Sequence, residues 1–170
     1  QAEVDAVLGP TRSCTLSDLA SMPLVKACLN EALRLRPPAP NMDRVAARDI
    51  TFPCGVTLKK GDTAFFSMLL LHNDKRLWGE RAREFVPRRW LPGGERPEQQ
   101  PFAFLPFSAG PRNCIGSKFA MQESSLILAT ILQHYTVELD PTSNVKIKSV
   151  LTIVPDDLRV RTRPRHGAPA

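Results

Sequence analysis

The chain has 170 residues, 42% of them hydrophobic and 24% charged, a balance that supports one core of ordinary domain size and excludes wholesale disorder. Its formal net charge of +6 would suit a nucleic-acid surface or an acidic protein partner. No finger, RNP or helix-turn-helix pattern accompanies that charge, so nucleic acid is not expected, and no apolar run reaches the ~18 residues of a membrane span.

In chain order, Gln1–Leu8 reads as the middle of an amphipathic helix, with no initiator Met, basic n-region or apolar h-region; the expectation is a piece of a longer protein. Gly9-Pro10 marks a loop, and Thr15-x-x-Asp18 offers a cap for a short helical turn. Pro23 suits a first helical position, and Leu24, Val25, Cys28, Leu29, Ala32 and Leu33 follow at helical spacing. Pro37-Pro38 ends this helix near Leu35, because a residue before proline is pushed out of the helical region. Short strands are expected at Arg44–Ala47, Ile50–Phe52, Val56–Leu58 and Thr63–Leu69, with turns at Gly55 and Lys60-Gly61-Asp62. Pro92 to Pro101 reads as exposed loop. From Ser117 to about Leu132 apolar residues cover so much of a helical circumference that the helix is expected to be largely buried. Thr136–Leu139, Val150–Val154 and Leu158–Arg161 read as strands, the last two closing a hairpin at Pro155-Asp156-Asp157. Arg159, Arg161, Arg163 and Arg165 alternate as a charged strand edge, and residues 163–170 are expected to be a loose tail. No internal repeat is present.

Cys14, Cys28, Cys54 and Cys114 show no C-x-x-C spacing, which argues against a zinc site. Cys28 and Cys54 read as packing or chance exposure. His72, His134 and His166 are too widely separated to suggest a histidine metal centre and are assigned core or surface roles. Cys114 is different, standing on a glycine-flanked loop just before the long helix, where unpartnered N–H groups and the helix dipole favour negative charge. Soft sulfur there suits iron. Gly110 permits a turn that a side chain would hinder, and Gly116 lets the backbone approach a flat ligand closely.

Phe107-x-x-Gly110-x-Arg112-x-Cys114-x-Gly116 matches every defined position of the haem-binding signature of the cytochrome P-450 family, which this chain therefore resembles. Glu31-Ala32-Leu33-Arg34 before Pro37-Pro38 resembles the family's Glu-x-x-Arg helix, and Phe85-x-Pro87-Arg88-Arg89-Trp90 supplies as Arg89 the arginine that joins it in a structural triad. Arg88 departs from the glutamate usual there, which puts local surface chemistry and partner docking in question. Family members are well over twice this length, so the resemblance covers a C-terminal portion, with residues 1–162 as a partial haem domain. It implies an α+β fold, mainly helical with small β-sheets.

The resemblance implies haem b held through Cys114 as axial ligand, with Arg112 and Arg44 on the propionates and Phe107 shielding the sulfur. Glu31, Arg34 and Arg89 would be scaffold. Pro40, Asn41 and Met42, and downstream Val150 and Leu151, correspond to regions that touch substrate in the family. The implied parent enzyme inserts one oxygen atom of O2 into a C–H bond of an apolar small molecule, drawing electrons from a reductase or ferredoxin docked near the cysteine face, where Lys118 could attract an acidic surface. A regular cysteine loop weighs against a peroxide-rearranging enzyme. The family's distal oxygen-activating helix has no counterpart here, so the piece alone is expected to be inactive, and a non-catalytic haem-binding or structural remnant is the alternative. The cysteine tract stands nearest the fatty-acid-hydroxylating branch. A eukaryotic protein would sit at the endoplasmic reticulum through an anchor in the missing N-terminal part, and a bacterial one in the cytoplasm.

Overall fold

The computed structural model describes residues 1–94, 101–149 and 151–165. Helix α1 (Ala2–Leu8) and a 3-10 turn (Leu16–Ser21) lie against α2 (Pro23–Leu35) and α5 (Ser117–His134). Val4, Leu8, Met22, Val25 and Ala129 form the buried cluster between them. Helix α2 has the limits expected from its prolines. Its first free N–H groups, on Leu24 and Val25, donate to the Glu3 carboxylate of α1 at 2.8 and 3.0 Å, so an acidic side chain on one helix caps the next.

Beyond the Pro37-Pro38 break, strand β1 (Asn41–Val45) pairs antiparallel with β4 (Thr63–Ser67), Arg44 facing Ala64, and β2 (Ile50–Thr51) pairs with β3 (Thr57–Leu58). The strand expected over 63–69 stops at Ser67, whose hydroxyl accepts the Leu70 N–H at 3.4 Å and starts α3 (Met68–His72). An apolar run this short has no period of its own, and the cap decides it. Asp74 caps α4 (Lys75–Trp78) in the same way.

The C-terminal pairing also differs from expectation. Strand β5 (Tyr135–Leu139) pairs with β8 (Val160–Pro164), and β6 (Lys146–Ser149) with β7 (Ile153–Asp156), so residues 153–156 and 160–164 do not form a hairpin. Ser143 Oγ donates to the Asp157 carbonyl at 2.9 Å and accepts the Arg159 N–H at 3.0 Å, drawing the chain away from β7. The arginines expected along a bare edge are paired across the ladder, Arg161 with Asp140 and Arg163 with Glu138. Such exposed pairs contribute under ~1 kcal/mol each. Strand β8 reaches Pro164, and Arg165 donates to Asp5 and to the Leu132 carbonyl near the end of α5, so the expected tail is ordered as far as Arg165. Val150, His166 and residues 95–100 of the expected proline-rich loop lie outside the described residues.

Helix α5 is not largely buried. It buries Ser125, Ala129 and Gln133 at helical spacing, while Phe119 (67% exposed), Ile127 and Ile131 face outward. Its apolar circumference exceeds what α1, α2 and the first 3-10 turn can cover.

The firmest structure surrounds Glu31, Arg34 and Arg89, all buried. Glu31 accepts from Arg34 Nε and Nη2 (both 2.9 Å), the Val86 N–H (2.9 Å), Arg89 Nε (3.1 Å) and Trp90 Nε1 (2.8 Å). Arg34 spends its remaining N–H groups on the His72, Ala82 and Glu84 carbonyls, and its guanidinium lies 5.0 Å from the Trp78 ring centroid. Burial alone would raise the Glu31 carboxyl, but the donors from Arg34, Val86 and Trp90 outweigh it and hold its pKa below the ordinary value.

Removing one partner of such a network strands the others as buried charge. Glu31→Ala is expected to cost about 3–5 kcal/mol in denaturant unfolding, whereas Lys59→Ala, which removes an exposed pair with Asp49, should change stability by less than about 1 kcal/mol.

Candidate functional site

The cysteine loop is closed by its own backbone. The Cys114 N–H donates to the Phe107 carbonyl at 2.9 Å, the Ser108 N–H to Leu105 at 3.1 Å, and the Asn113 N–H to Gly110 at 3.1 Å. Gly110 has φ 76°, and a Cβ there would meet nothing within 4 Å, so backbone conformation rather than space selects glycine. Ser108 takes φ 65° as well, which the sequence did not announce. Gly116 has an ordinary φ of −84°, and a Cβ on it would lie 3.9 Å from Cys114 Sγ. That is ordinary van der Waals contact, so neither backbone conformation nor crowding within this chain demands glycine at 116. Cys114 is an exposed free thiol, and α5 begins three residues later.

A cleft of about 620 Å³ opens between this loop, α2 and β1. Cys114, Phe107, Arg112, Arg44, Asn41 and Met42 all line it, together with apolar residues of α2 and α5. Arg44 Nη1 donates to the Asp43 carbonyl at 2.7 Å and Nη2 reaches Ser108 Oγ at 3.5 Å, so the side chain spans from β1 to the cysteine loop. Among the described residues neither Arg44 nor Arg112 has a carboxylate partner. Two uncompensated positive charges thus border an apolar cleft beside one thiol, an arrangement open to an anionic ligand with an apolar body.

Other expected residues fall outside the cleft wall. Pro40 is buried and its carbonyl accepts the Leu69 N–H at 3.1 Å, a bracing role. Leu151 is 88% exposed, but the Ile153 N–H donates to the Pro38 carbonyl at 2.8 Å, and Pro38 lines the cleft. The turn carrying Leu151 is therefore fastened at the cleft's edge. Glu31, Arg34 and Arg89 do not line the cleft, although Ala32 and Leu33 between the first two do.

His72, assigned only a core or surface role from sequence, is fully buried and packs on Phe104 with ring centroids 5.2 Å apart. Its Nε2 accepts the Leu105 N–H at 2.8 Å, so the ring is the tautomer protonated on Nδ1. Nδ1 has no hydrogen bond, although the Leu33 and Arg34 backbone lies close enough to act on it. Burial, and then the charge of Arg34, push the His72 pKa down to about 4.

Residues 1–159 match the family model for cytochrome P450. The chain belongs to the cytochrome P450 family. Cytochrome P450 4A24 of Sus scrofa is 40% identical over 139 residues, covering 82% of this chain and 27% of the relative. The self-sufficient cytochrome P450 monooxygenase CYP505AG1 of Oidiodendron maius is 38% identical over 167 residues, covering 97% of this chain and 15% of the relative. Among solved structures, the cytochrome P450DA heme domain superposes with a TM-score of 0.88 at 32% identity, over 96% of this chain and 36% of that one. The chain thus spans between 15% and 36% of the length of these P450s, and its mix of helices and small sheets matches the P450 heme-domain structure. Cytochromes P450 bind haem b. Among the described residues no helix is long and apolar enough to cross a membrane.

The histidine makes this P450 segment sensitive to acid. Folded His72 is neutral, whereas an unfolded histidine takes up a proton near pH 6.5, so its contribution is fully present above that pH and is lost as pH falls toward about 4. Stability should decline by at most about 1.4 kcal/mol per pH unit across that window, and His72→Gln should flatten the slope in urea titrations between pH 4 and 7.

Proposed function

We propose that residues 1–162 form the cysteine-bearing part of a haem-thiolate monooxygenase that inserts one oxygen atom of O2 into a C–H bond of an apolar small molecule. The observation that carries this reading is the convergence of Cys114, Phe107, Arg112 and Arg44 on one apolar cleft. The residues suit haem b: a soft sulfur for the iron, an apolar wall for the macrocycle, and two carboxylate-free guanidiniums for its propionates. When bound, the haem supplies O2 activation, helped by electron density from the sulfur.

The protein's own part is to hold and orient. Cys114 lines the cleft, and the Phe107 carbonyl fixes it through its amide. Phe107 itself, half-buried in the same cleft wall, would shield the sulfur once the haem covers it. Asn41 and Met42 at the start of β1 would meet substrate, with Leu151 on the turn at the cleft's edge. Electrons would come from a reductase or ferredoxin; Lys118, exposed four residues after the cysteine, would attract its acidic face. The likeness of the cysteine loop to fatty-acid hydroxylases makes a long-chain fatty acid the first substrate to try.

Haem loading followed by reduction under CO tests the ligation. The expected outcome is a red-shifted Soret band of thiolate type, lost in Cys114→Ser, with haem retention weaker by up to about fivefold in Arg112→Ala as one exposed charge pair is removed. Failure to take up haem would favour the non-catalytic remnant, and a band unchanged by Cys114→Ser would contradict the assignment.

A further inference from the structure

Three facts single out His72. It is fully buried, and its Nδ1 makes no well-formed hydrogen bond although the Leu33 and Arg34 backbone lies near it, so the ring is held less favourably on that side than on the Nε2 side. Its one side-chain hydrogen bond goes to the Leu105 amide, 33 residues away in sequence. Leu105 is in turn the residue whose carbonyl accepts the Ser108 N–H, setting the turn that contains Phe107, and Phe107 accepts the Cys114 amide. On the other side, Arg34 of the buried ion network donates to the His72 carbonyl at 2.7 Å.

We propose that His72 is a positioning residue for the Cys114 sulfur, its Nε2 clamping the Leu105 amide so that the Phe107 turn, and through it the cysteine loop, is registered on the Glu31–Arg34–Arg89 network. This rests on the ligation of haem iron by Cys114 proposed above. Continuity runs through two hydrogen bonds between Glu31 and Arg34, then one each from Arg34 to the His72 carbonyl, from the Leu105 amide to the His72 ring and from the Ser108 amide to Leu105, and, across the Phe107–Ser108 peptide, from the Cys114 amide to Phe107. Without the imidazole acceptor, Leu105 N–H is left unpaired in the half-buried stretch leading to the loop. No other side chain donates to or accepts from the backbone between Phe104 and Phe107 among the described residues.

The test compares His72→Phe, which keeps an aromatic ring against Phe104, with His72→Gln, whose amide oxygen can still accept. Amide hydrogen exchange at Leu105 in the haem-free protein reads the clamp, and the reduced CO spectrum of the haem-loaded protein reads its consequence at the sulfur. In H72F, Leu105 exchange should rise about tenfold or more, and most of the thiolate-type band should shift to the shorter-wavelength form of a lost sulfur ligand. H72Q should stay within about threefold of wild type in exchange and keep the band. A folded H72F with wild-type Leu105 exchange and an intact band overturns the proposal, as does an H72Q that folds but loses both. If H72F does not fold, H72Q decides alone by the same two readings. A wild-type protein lacking the band would count against haem ligation, whereas unchanged Leu105 exchange in H72F counts against His72.

Discussion

The carboxylate of Glu31 is the point from which the rest of this chain is held. Between His72 and Trp90 there is little regular structure, only the short helix α4 and a 3-10 turn, so many backbone groups in that stretch have no neighbour in a ladder. Arg34 answers three of its carbonyls and Glu31 answers the Val86 amide and the Trp90 indole. A planar guanidinium can serve a carboxylate and several carbonyls together; a lysine at position 34 would have fewer donors and no fork. The ion network is thus less a source of net stability than the reason a meandering segment has one conformation.

That conformation is what brings the cysteine loop to the cleft. The loop is tied at both ends, by Leu105 on His72 at its start and by the Cys114 carbonyl and the first turn of α5 at its finish. Between these ties, residues with positive φ at Ser108 and Gly110 fold the chain so that Phe107 and Cys114 face each other. Arg44 reaches across from β1 and Arg112 stands within the loop, so the positive border of the cleft is drawn from two elements that only the folded chain makes adjacent.

Much of this was legible in the residues. Pro23 and Pro37-Pro38 mark both ends of α2, and the spacing from Phe107 to Gly116 singles out Cys114 among four cysteines. Where sequence reasoning failed, the deciding contact was long-range or polar. The run Met68–Leu71 carries no period, and a single hydroxyl from Ser67 made it helix. The segment between β7 and β8 is held by Ser143, fourteen residues from Asp157, which no local pattern signals. Apolar residues around α5 foretold burial, but burial requires a neighbour, and the described elements cover one side only. His72 sits in a short apolar segment where an acceptor for a distant amide looks like any other core residue.

X-ray absorption at the iron edge reads the proposed bond between Cys114 sulfur and haem iron directly. In the haem-loaded protein the iron should show a sulfur neighbour beside the porphyrin nitrogens, and Cys114→Ser should replace it with a lighter atom while Cys54→Ser leaves it in place. An iron shell with nitrogen and oxygen alone in the wild-type protein would contradict the assignment of Cys114.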